Sequence, residues 1–171
     1  MNKFRHIIEF IANIGGYFSG WLVPLMVALI TVEVFMRYVL HRPPMIADEF
    51  SAYILVAMSY LGAAYAFKEK SQVRITAFVI RLPQRVSSWL RVGTLSLALL
   101  FSIGLTWSSY DFMMASFKYQ AKSATWLNFP LQGPQMTIPI GFALLALIQL
   151  AEVVKAIMDT RSGTYIKESI A

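Results

Sequence analysis

Four long stretches without a charged residue constrain this chain more than any motif in it. Residues 10–32, 50–67 and 92–110 are uncharged runs of 23, 18 and 19 residues, and a fourth run reaches from 123 to 151. At about 1.5 Å of rise per helical residue, about 20 residues cross a hydrocarbon core of about 30 Å, so each run is long enough to span. Composition agrees, with 57% apolar and 14% charged residues against roughly 45–50% and about 25% in ordinary soluble domains. The expected fold is an all-α integral membrane protein, a single domain over residues 1–171 with four transmembrane helices at about 14–38, 50–67, 92–115 and 136–157. An interfacial amphipathic helix is expected between spans two and three, at about 73–90.

The absence of cysteine removes disulfide frameworks and cysteine metal sites. Lys3 and Arg5 precede an apolar run too long for a signal h-region, and no small-residue cleavage site closes it, so the first run is expected to stay as a span. The net charge of +6 is explained by topology, without nucleic acid. If both termini are cytoplasmic, that side holds eleven basic residues and the other four, which favours an N-in, C-in arrangement under the positive-inside rule.

Before span one, Phe4, Ile7, Ile8 and Ile11 share a helical face, which fits either a short surface helix or the first turns of the span itself. Gly15, Gly16, Ser19 and Gly20 then form a small-residue patch that suits close helix approach or is simple filler. Pro24 lies inside the span and is expected to bend it. After span two, Ile75, Phe78, Val79, Leu82, Val86 and Trp89 gather on one side of a wheel, with Arg74, Arg81 and Arg85 beside them. That face suits either lipid, the arginines reaching for headgroups, or a partner protein. The serines and threonines of span three are expected mostly to bond back to their own helix. Tyr119, Trp126 and Phe129 read as interfacial anchors, and Glu152 and Lys155 are spaced to pair at the end of span four.

Catalytic chemistry finds no support. His6 and His41 flank opposite ends of span one, and no GxSxG, HExxH or glycine-rich phosphate loop is present. No cofactor, metal or catalytic residue is therefore expected. A self-sufficient transporter carries its site near the midplane on interrupted helices, and this chain has no ionisable residue in the middle of any span.

Charge concentrates instead in the corner between spans one and two. Glu33 and Arg37 are four apart and share a helical face, either as an ion pair or as two interfacial side chains reaching for water. Arg42 is followed by Pro43 and Pro44, which end the helix, and Asp48 and Glu49 bring negative charge to the start of helix two, where one of them is expected to act as its cap.

Read in order, Glu33, Arg37, Tyr38, the Arg42-Pro43 corner, Asp48, Glu49, Tyr53 and the run Leu61-Gly62-Ala63-Ala64 resemble the signature region of a known family. Pro134, Pro139 and Gly141 at the start of span four extend the match. The family is the small, DctQ-like membrane subunit of tripartite ATP-independent periplasmic (TRAP) transporters. The chain departs from it at Ile46, where members often carry tryptophan, and over Gln72 to Thr76, where they often carry a His-hydrophobic-x-Val-Asp ending.

The resemblance implies an accessory scaffold subunit of a secondary transporter in the bacterial or archaeal cytoplasmic membrane. Its partners would be a large membrane permease subunit, which carries the organic-acid and sodium or proton sites, and a periplasmic solute-binding protein. On that reading Glu33, Arg37, Tyr38, Arg42, Asp48, Glu49, Tyr53, Gly62 and Trp126 form partner-facing or structural contacts, while Arg74, Arg81, Arg85 and Trp89 set depth in the lipid bilayer. Two other classes stay open on the residues alone. A redox-complex anchor would need histidines inside the spans, and a freestanding small transporter would need polar groups at the midplane.

Overall fold

The computed structural model describes residues 2–41, 45–69, 71, 83–125 and 127–161. Four helices account for nearly all of them: α1 (Asn2–Tyr38), α2 (Ala47–Lys68), α3 (Gln84–Lys118) and α4 (Gln132–Arg161). Each contains a segment long and apolar enough to cross a bilayer, so the chain is a multi-pass membrane protein of all-α class, as its uncharged runs require.

The helices are not arranged as a square bundle. α1 packs along α2, α2 along α4 and α4 along α3, with a lesser contact between α1 and α4. The result is a slab with α2 and α4 inside and α1 and α3 on the two flanks. Large apolar side chains such as Phe10, Tyr17, Trp21, Leu25 and Phe35 on α1, and Leu97, Leu100, Phe101 and Trp107 on α3, are exposed. Outward apolar faces are the stable arrangement in lipid, because tails solvate them as well as another helix would. Among the described residues, the buried apolar cluster sits toward one end, where Ile8 and Ala12 of α1 meet Ala64 and Phe67 of α2 and Ile148 of α4.

Elsewhere close backbone approach replaces bulky packing. A Cβ added at Gly16 would lie 2.3 Å from the Tyr65 ring, and one at Gly141 would lie 2.5 Å from the carbonyl oxygen of Tyr60. The small-residue patch of α1 is therefore a true helix contact with α2. Ser19 fastens it by donating from Oγ to the Met58 carbonyl at 2.7 Å. Gly20 alone of that patch faces open space.

Two readings left by the sequence are narrowed. α1 is unbroken from Asn2, and Ile8 enters the core, so the lead-in is the first turns of span one and not a separate surface helix. Of the interfacial helix expected at 73–90, only the part from Gln84 onward is described, and it belongs to α3. Residues 72–82 lie outside the described residues, and α3 runs without a break to Lys118. Pro83 starts it, as proline suits the beginning of a helix and not its interior. At this end Glu152, spaced to pair with Lys155, reaches across to Arg91 of α3 at 3.7 Å and ties the flank helix to the slab.

Candidate functional site

The end of the slab opposite the core contains the charged corner, and its geometry centres on two buried carboxylates. Glu33, 4% exposed, projects from the last turns of α1 toward the start of α2. One oxygen accepts from Arg37 Nη2 at 2.7 Å. The other accepts from the backbone N–H groups of Ile46 at 3.0 Å and Ala47 at 2.5 Å. The first N–H groups of a helix lack intrahelical acceptors, and the helix dipole makes that end electropositive, so a carboxylate is well matched to it. Ile46 occupies the cap position but has no side chain to do the work. The cap of α2 is thus supplied by α1. This corrects the expectation that Asp48 or Glu49 caps the helix: Asp48 is exposed in the first turn, contributing charge to the dipole, and Glu49 is turned elsewhere.

Glu49 is buried and accepts hydrogen bonds from the Tyr53 hydroxyl, one turn along α2, and from Thr125 Oγ1 in the loop between α3 and α4. That loop is a small folded unit. Ser123 N–H donates to the Phe129 carbonyl at 2.8 Å and Leu131 N–H to the Ala121 carbonyl at 3.1 Å, pairing its two arms antiparallel around Lys122 and Pro130. Asn128, at its tip, adopts a positive φ of 47°, a conformation asparagine tolerates better than most residues. Phe129 then seats between Phe50 and Tyr53, with ring centroids 5.2 and 5.6 Å away. Phe129 is a packed aromatic of this clamp and not the lipid anchor its neighbourhood suggests.

The first turns of α2 are therefore gripped from both sides, by α1 through Glu33 and by the α3–α4 loop through Glu49 and Phe129. Arg37 stays 45% exposed beyond its ion pair, and Tyr38 is exposed beside it. Gly62 lies on the α1–α2 contact, where an added Cβ would meet Ser19 Oγ at 2.7 Å. Trp89 is exposed near the start of α3, at the opposite end of the slab. Arg42, Arg74, Arg81 and Trp126 lie outside the described residues, and Arg85 is placed only as a backbone position in the first turn of α3. The partnership of Glu49 with Thr125 had no sequence signal, because nothing in spacing links residues 76 apart. Among the described residues no group of three or more His, Cys, Asp or Glu could hold a metal ion.

Four helices able to span a bilayer, joined at one end by an internally braced polar corner, define a multi-pass membrane protein. The chain belongs to the DctQ component family of tripartite ATP-independent periplasmic transporters, whose family model matches residues 26–159. Its relatives agree. The sialic acid TRAP transporter small permease protein SiaQ of Vibrio cholerae is 29% identical over 139 residues, covering 77% of this chain and 76% of its own length. A protein of Haemophilus influenzae named as a TRAP transporter small permease is 27% identical over 144 residues, covering 82% and 80%. The isethionate TRAP transporter permease protein DctMQ of Oleidesulfovibrio alaskensis is 29% identical over an alignment of 147 residues, which covers 74% of this chain but only 23% of that larger protein. The family is a transporter permease subunit and not an enzyme.

Proposed function

We propose that this chain is the static brace of a cation-gradient-driven importer, which holds a large permease subunit in the membrane while that subunit moves an organic acid delivered by a periplasmic binding protein. The observation that supports this best is the use of the two buried carboxylates. Glu33 and Glu49 are consumed by fixed contacts within the chain, and the uncharged runs leave no ionisable group at mid-membrane depth. A transport path needs groups that bind and release; these hold.

The partner reading draws on the relatives. Two are named as small permeases, and DctMQ is a permease protein more than four times the length of the matched region. Their names mention sialic acid and isethionate, both acids, which makes these the first solutes to try. The exposed apolar flanks of α1 and α3 offer surface for the large subunit, and Arg37 with Tyr38 offers a polar contact at the corner. With eleven basic residues assigned inward, the corner and the 119–131 loop face the periplasm, on the side of the binding protein.

The test is affinity purification of the tagged chain from its native membrane, followed by an uptake assay in a strain lacking it. A large hydrophobic permease is expected to co-purify, and uptake of the cognate acid to be lost and restored by the plasmid-borne gene. Purification of the chain without such a partner, together with unchanged uptake, would refute the reading.

A further inference from the structure

α3 packs chiefly against α4, and the side it turns toward α4 carries hydroxyls. Ser102 and Ser116 are buried and Ser96, Thr106 and Ser109 half-buried, while Leu97, Leu100, Phe101 and Trp107 point outward. Thr106 turns its hydroxyl back into its own helix, donating to the Ser102 carbonyl at 2.8 Å. On α4 this face meets Gln149. Three residues before Glu152, whose carboxylate reaches Arg91 of α3, Gln149 lies on the same side of its helix. It is 5% exposed, and its Oε1 is buried and meets no donor among the described residues. In an apolar medium a buried carbonyl without a donor is costly, and a membrane supplies no bulk solvent to make good the loss.

The register of the two helices shows what stands opposite. Arg91 and Glu152, 3.7 Å apart, fix it. Gln149 rises about 4.5 Å from Glu152 and Ser96 about 7.5 Å from Arg91, so the two lie within one turn in depth on facing sides. Serine is several methylenes smaller than Leu95 and Leu99 beside it, and the α3 face is notched there. Leu95 and Leu145 pack against the apolar cluster and close the site on that side. The same pairing recurs at the far end of the seam. Gln135 Oε1 is also buried without a donor, about 25 Å along α4 from Glu152, and Ser109 lies about 27 Å along α3 from Arg91.

We propose that the seam between α3 and α4 binds water within the membrane, with one molecule bridging the Gln149 amide to the Ser96 hydroxyl. The water donates to Gln149 Oε1 and exchanges its second hydrogen bond with Ser96 Oγ, which can both donate and accept. Because a water molecule also does both, it satisfies whichever end of the amide faces it. Amide and hydroxyl are neutral, and neither gives an ion the charge that would offset its dehydration. An apolar occupant would leave the amide without a partner. The half-buried ion pair of Arg91 and Glu152, one turn nearer the end of the slab, provides a polar way in. The site is independent of the transport reading, since it uses none of the residues of the opposite corner.

Radiolytic footprinting of the full-length chain in mild detergent and heavy-oxygen water tests it, because a hydroxyl radical born from a bound water marks only the side chains beside it. Leu95 and Leu145 are expected to take up the heavy oxygen, and Phe67 in the apolar cluster much less. Gln149→Met, similar in length but without the amide, and separately Ser96→Ala should each remove most of the label at the two leucines. Ser108→Ala, on the exposed side of α3, should leave it unchanged. Absence of label at both leucines, label as strong at Phe67, or label unaffected by both seam variants would overturn the proposal. Ser96→Ala keeps the test decisive if Gln149→Met fails to fold.

Discussion

Glu33 holds three donors at once, one guanidinium and two backbone N–H groups. Truncation to alanine leaves the N–H groups of Ile46 and Ala47 without their acceptor near lipid, and the loss of a partner to a buried polar group costs about 1–3 kcal/mol. Glu33→Ala is therefore expected to lower the melting temperature of the detergent-solubilised protein clearly, and Arg37→Ala much less, by under about 1 kcal/mol, because Arg37 is half in solvent. Equal losses in the two variants would mean that the ion pair, and not the cap, is the stabilising contact. Thr125→Val tests the second clamp in the same way. It keeps the shape but removes the hydroxyl that donates to Glu49, and should cost about 1–2 kcal/mol, while Thr125→Ser costs less. Part of this was legible in the sequence: spacing of four shows Glu33 and Arg37 on one face. That the second carboxylate oxygen reaches α2 depends on how two helices cross, which spacing along one helix does not encode.

Between elements, the decisive contacts are those where no side chain intervenes. At Gly141 the obstacle to a Cβ is the Tyr60 carbonyl, part of the α2 backbone, so neither partner can give way locally. Gly141→Ala should force α2 and α4 apart and cost about 1–3 kcal/mol, as overpacking does. At Gly16 the obstacles include Cγ and Cβ of Tyr65, which ring rotation does not move, so Gly16→Ala is expected to be costly as well, and Gly20→Ala, with open space, close to neutral. Thermal melting should place both Gly141→Ala and Gly16→Ala below Gly20→Ala, and a neutral Gly141→Ala would disprove the close α2–α4 approach. The four helices were legible because a run free of charge for some twenty residues has few alternatives to spanning. The small residues of α1 were legible as a patch, but whether they touch another helix depended on α2 presenting Leu61 and Tyr65 opposite them. The fold of the 119–131 loop was hidden because its aromatics serve equally well as membrane anchors, and only the position of Phe50 and Tyr53 makes Phe129 part of a clamp.

For the whole molecule, the slab arrangement leaves α1 and α3 with wide apolar faces, while the buried carboxylates Glu33 and Glu49 are tied within the chain. In the proposed role, such a shape adds membrane-embedded width to the large subunit. Orientation is checked by reporter fusions. One placed after Arg161 is expected to report cytoplasm and one in the 119–131 loop periplasm, and the reverse pattern would invert the placement of the corner. The most direct measurement of the bracing role is transport into proteoliposomes under a sodium or proton gradient, with sialic acid and isethionate as first solutes. This chain alone is expected to move no solute, and the large subunit with its binding protein to transport only when this chain is present. Gradient-driven uptake by this chain alone, or full uptake by the large subunit without it, would contradict the role of a brace.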